Sequence, residues 1–211
     1  LVNAFNMGWQ PYFLEKKFNY QSNLYPRINT IVLSVLGFVW ITLLFWTDEL
    51  IKTQFFGITF FGSEFFDSLL IVPWIGLSYF FYGFYLLQTP GIFLKNRPKY
   101  AAWTRFFGAV TNIGLCFILI PTYGEMGAAY ATCIAFALMA LLMYCINRYL
   151  IEFKLEVRNL TIIFLLLIFS YIAFIIYEDS SIVNLTIMCF YVFVIFYYKL
   201  INMKNLHKIF T

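Results

Sequence analysis

Across six stretches, residues 28–46, 69–88, 101–121, 127–146, 160–177 and 182–198, this 211-residue chain carries one charged side chain, Arg105. The apolarity of each stretch is continuous rather than alternating, which argues for helices over strands. At about 1.5 Å of rise per residue, roughly 20 apolar residues in a helix cross the ~30 Å hydrocarbon layer of a bilayer. Lipid also forbids open sheet edges, because nothing there bonds an exposed N–H or C=O. A composition 63% hydrophobic and 11% charged leaves too little polar surface to cover a globule in water. The expected fold is an all-α, polytopic membrane helix bundle with lipid as its solvent.

The basic residues give that bundle a sidedness. Lys16, Lys17 and Arg27 share one gap, and Lys95, Arg97, Lys99 and Arg105 lie in or beside another. Arg148, Lys154 and Arg158 occupy a third, and Lys199, Lys204 and Lys208 the tail. Only Lys52 lies in an intervening gap, among Asp48, Glu49, Glu64 and Asp67. Short loops rich in Lys and Arg stay in the cytoplasm, so alternate gaps and the C-terminus are expected there. The net charge of +4 then reports sidedness and contact with anionic lipid, not nucleic-acid binding.

Residues 1–14 form an apolar, aromatic run leading into Glu15, Lys16 and Lys17. They read as the end of a seventh span, and the chain as the C-terminal part of a longer protein. The outer loop 47–68, with Phe pairs at 55–56, 60–61 and 65–66, reads as a segment lying on the membrane. Cys116, Cys133, Cys145 and Cys189 all fall inside spans without ligand-like spacing and read as packing residues, so no metal, cofactor or disulfide is expected. The sole histidine is His207 in the tail and no acid lies well inside a span, so enzymatic chemistry is not expected either.

Polar residues inside apolar helices are the candidates for function. Asn3, Asn6 and Gln10, three and four apart, share a helix face. They either bond a neighbouring helix or line a watery path, since lipid would leave their amides unsatisfied. Asn112 poses the same choice in mid-span. Arg105 either snorkels to the headgroups or, with the basic loop Lys95, Arg97 and Lys99, receives a lipid pyrophosphate through its guanidinium fork. Pro11 kinks or ends the first helix, while Pro121, Tyr123 and Gly124 end one span before the next restarts at Gly127. Gly127, Ala131 and Ala135, and likewise Ala128 and Thr132, recur every fourth position, a small-residue face that lets helices approach closely.

The segment TRFFGAVTNIGLCFILIPTYGEMGAAYAT, residues 104–132, resembles the paired-helix signature of Wzx-type polysaccharide-biosynthesis flippases of the multidrug/oligosaccharidyl-lipid/polysaccharide exporter superfamily. NMGWQPYFLEK resembles that family's helix with an aromatic-x-Pro step, and the stretch from Ile71 through Pro73 to Tyr100 its Pro-containing span and basic loop. The resemblance implies the second lobe of a MATE-like two-lobe transporter: residues 1–146 as the lobe core, 147–211 as two additional helices and a cytoplasmic tail. It implies a bacterial inner-membrane protein that flips polyprenyl-diphosphate-linked oligosaccharide by alternating access, with glycan polymerase and glycosyltransferases as neighbours. Drug efflux, flipping of a peptidoglycan precursor, a membrane-embedded glycan-assembly enzyme and a scaffold are the competing readings.

Overall fold

The computed structural model describes residues 2–15, 24–52, 54–55, 58–59, 70–151, 155–177 and 181–198. Seven helices account for nearly all of them: α1 (Val2–Glu15), α2 (Leu24–Lys52), α3 (Ile71–Leu94), α4 (Lys99–Tyr123), α5 (Glu125–Ile151), α6 (Val157–Ile176) and α7 (Ser181–Tyr197). A small antiparallel pair, β1 (Gln54–Phe55) and β2 (Ile58–Thr59), follows α2. Among the described residues the apolar stretches are thus almost entirely helical, and there backbone N–H and C=O groups are satisfied within their own segment.

Among the described residues, four helical segments are long and apolar enough to cross a membrane: Tyr25–Glu49, Lys99–Tyr123, Glu125–Leu150 and Val157–Ile176. The expectation was six. α7 is apolar but only 17 residues long. α3 has the length, but Trp74, Tyr79, Tyr82, Tyr85, Gln88 and two prolines dilute its apolarity.

Two expected breaks are absent. α2 does not stop at residue 46 but continues through Asp48 and Glu49 to Lys52, so the expected outer loop begins later. Backbone hydrogen bonding does not end where hydrocarbon does, and charged side chains at a helix end reach the polar interface. Of the remaining loop, residues 60–69 lie outside the described residues. Pro121 likewise does not end its helix; α4 runs through it to Tyr123 and only Gly124 separates it from α5. Pro121 removes a single donor, while the Gly124 N–H still bonds Ile120 O at 2.8 Å and the Thr122 hydroxyl bonds Leu119 O at 3.1 Å. Gly124 reverses the chain at φ 58° and ψ −136°, a conformation that side chains with a Cβ avoid. α1 also continues past Pro11 to Glu15. Pro73 sits in the first turn of α3, where no N–H is needed.

The helices group into two compact units. In the first, α5 packs against both α3 and α4, and α1 packs on α3. Its core holds Tyr85, Leu86, Ile92, Ala101, Met139, Ala140 and Met143. In the second unit, the first part of α2 (Leu24–Trp46) joins α6 and α7. There the Tyr191 hydroxyl donates to Ser34 O at 3.0 Å, and a Cβ on Gly37 would meet the Tyr191 ring at 3.4 Å. Glu156, capping α6, accepts from Thr30 Oγ1 at 2.9 Å and Asn159 Nδ2 at 2.6 Å. The sequence division at residue 146 falls inside α5, which continues to Ile151. Of the cysteines, Cys133 is buried and Cys116 half-buried, while Cys145 and Cys189 are exposed on their helices.

Candidate functional site

Tight packing of α4 on α5 sets the geometry of the site. At Gly127, in the first turn of α5, a Cβ would collide with the Leu119 carbonyl and lie 2.8 Å from the Ile120 nitrogen, so only glycine lets the two backbones meet. Ala131 and Ala135 are buried further along α5, and Ala128 O accepts the Thr132 hydroxyl at 2.9 Å. On α4, Gly108 leaves the room that the Met139 side chain fills.

Along this seam residues of α1, α3, α4 and α5 line an open cleft of about 670 Å³. α1 contributes Asn3; α3 contributes Tyr79 and Tyr82; α4 contributes Arg105, Ala109 and Asn112 among others; and α5 contributes Thr132, Phe136 and Met139. Tyr82 and Phe136 form its aromatic wall with ring centroids 4.9 Å apart, joined by Tyr79 at 6.3 Å from Phe136.

Arg105 is the one charged side chain among the lining residues. Its Nε donates to the Tyr85 hydroxyl at 3.1 Å, and the guanidinium carbon lies 6.0 Å from the Tyr85 ring centroid. Tyr85 is itself fully buried, so it fixes one edge of the guanidinium while the side chain remains exposed to the cleft. A planar fork held at one edge presents its other donors to a ligand. The cleft therefore combines aromatic and aliphatic walls with a few polar groups and a single positive charge, a set that could take an anion carrying a ring system.

Asn112 ties α4 to α5. Its Nδ2 donates to Thr132 Oγ1 at 3.2 Å, and its Oδ1 accepts from the Cys116 thiol at 3.7 Å. It does so on the cleft wall, so bonding between helices and lining the cleft coincide at one residue. Of the polar stripe on α1, only Asn3 lines the cleft. Asn6 and Gln10 are half-buried outside its lining. Lys95, Arg97 and Lys99 occupy the exposed connection from α3 to α4, where Asn96 adopts φ 51° and the Lys99 ammonium lies 5.5 Å from the Tyr100 centroid. They do not join Arg105 in the cleft; six residues of helix put Lys99 about 9 Å along the axis from it.

Tyr79, Tyr82, Phe136 and Met139 line the cleft without standing among the residues that sequence reasoning singles out. The signal that was present is the three-residue spacing of Tyr79, Tyr82 and Tyr85, which stacks hydroxyl-bearing rings on one side of α3. No family model matches the chain, and no curated protein or solved structure is significantly similar to it.

Proposed function

We propose that this chain is the second lobe of a flippase that moves polyprenyl-diphosphate-linked oligosaccharide across a bacterial inner membrane, with its C-terminus in the cytoplasm. The observation that carries the reading is the lone Arg105 guanidinium, held by Tyr85 in a cleft whose lining mixes the amides of Asn3 and Asn112, the Thr132 hydroxyl and aromatic rings with aliphatic side chains such as Ile113 and Met139. Carrying a diphosphate and its sugars through hydrocarbon requires a polar chamber opened to one side at a time. Arg105 receives the phosphate oxygens, and Tyr79, Tyr82 and Asn3 contact the saccharide. The resemblance of residues 104–132 to the polysaccharide flippases adds to this reading. Glycan polymerase and glycosyltransferases are the expected neighbours on either side of the step.

The test replaces Arg105 in the full reading frame that contains these residues, expressed in a strain lacking its own flippase. Arg105→Ala is expected to lower surface glycan by about tenfold or more at unchanged membrane abundance, with Arg105→Lys intermediate. Undiminished export with Arg105→Ala would favour a scaffold. The same fork suits a peptidoglycan precursor, which shares the lipid diphosphate; rescue of cell-wall synthesis instead of glycan export would identify that substrate.

A further inference from the structure

In the second half of α3 the backbone of a fully buried glutamine bonds a fully buried asparagine from α5, and both side-chain amides are constrained in the same way. Gln88 Nε2 donates to Phe84 O at 3.1 Å and to Ala140 O at 3.3 Å. Asn147 Nδ2 donates to the backbone oxygen of Gln88 at 2.8 Å. Both residues have no exposed surface, yet Gln88 Oε1 and Asn147 Oδ1 receive no hydrogen bond. Rotating either amide by 180° does not help, because each would then set its oxygen against a backbone carbonyl.

The neighbourhood is short of donors. Pro90 has no N–H, so Leu86 O loses its usual helix partner and takes the Thr89 hydroxyl at 2.6 Å instead. That hydroxyl proton is thereby spent. Two orphaned amide oxygens in a membrane protein each cost about 1–3 kcal/mol, and natural structures avoid this by admitting a donor.

We infer that a buried water molecule bridges Gln88 Oε1 and Asn147 Oδ1, as a fixed component of the α3–α5 seam. A water brings two hydrogens for two acceptors, and such internal waters ordinarily bond otherwise unsatisfied groups. A bare cation would need more oxygen ligands than these. The inference does not depend on the transport reading.

Because no hydrogen bond joins the two side chains directly, their energetic coupling reports the bridge. Thermal unfolding of the purified full-length protein is measured for wild type, Gln88→Met, Asn147→Leu and the double variant, in sodium chloride and in choline chloride. Each single variant is expected to lower the midpoint by roughly 3–10 °C, and the double variant to fall no further than the worse single. A midpoint that rises for Asn147→Leu, or losses that add, would mean no shared molecule. A sodium-specific rise lost in Gln88→Met would mean a cation instead of water. An experimental map is expected to show density within hydrogen-bonding distance of both oxygens; none there overturns the inference.

Discussion

Replacing Gly127 by alanine is expected to destabilise the protein by about 3 kcal/mol or more, whereas the same change at Gly114 is expected to be neutral or stabilising by up to about 1 kcal/mol. Gly127 faces the backbone of the preceding helix: a Cβ there would lie 2.5 Å from the Leu119 carbonyl carbon and 2.8 Å from the Ile120 nitrogen. A side chain can rotate away from a clash, but a helix backbone moves only by parting from its neighbour. The single residue Gly124 joins α4 to α5, so the strain has no slack loop in which to dissipate. Gly114 lies within α4 with nothing within 4 Å of its would-be Cβ, so alanine there removes only the entropic cost of glycine in a helix. Urea or thermal unfolding in detergent, or the folded fraction recovered from membranes, measures both. Equal effects at the two sites would refute the close approach of α4 and α5.

Filling the cleft is expected to abolish transport without unfolding the protein. Ala109 is exposed and lines the cleft between Arg105 and Asn112. On the flippase proposal, a tryptophan there would occupy the space assigned to the saccharide while leaving the Asn112–Thr132 and Arg105–Tyr85 bonds intact. Ala109→Trp is expected to reduce glycan export to the level of a flippase-null strain, with membrane abundance and unfolding midpoint within a few degrees of wild type. Full export by this variant would place the translocation path elsewhere.

The positions of the helices were legible because the apolar stretches admit almost no charge, and length alone then distinguishes helix from strand. Their ends were not. Lys52 closes its helix six residues beyond the expected limit of 46 and Tyr123 two beyond 121, because a helix stops for lack of hydrogen-bonding partners rather than at the first polar or proline residue. The site was legible where a polar residue contrasts with its surroundings, as at Asn3, Arg105 and Asn112. Asn6 carries the same signal as Asn3 but lies about 60° further round the helix, enough to take it out of the cleft. Tyr79, Tyr82 and Phe136 could not be singled out in a chain that is 23% aromatic. Gln88 and Asn147 fell at the margins of expected spans, where an amide resembles an interface residue, and only burial reveals that their oxygens are enclosed.

The claim beneath all of this is that α4 crosses a bilayer with the basic loop on one side and the Gly124 turn on the other. Single cysteines at positions 97, 125 and 158, introduced after the four native cysteines are replaced by serine or alanine, test it with a membrane-impermeant thiol reagent on intact cells. Position 125 is expected to react from outside, while 97 and 158 react only after the membrane is opened. Equal labelling of all three in intact cells, or labelling of 97 and 125 from the same side, would contradict the account.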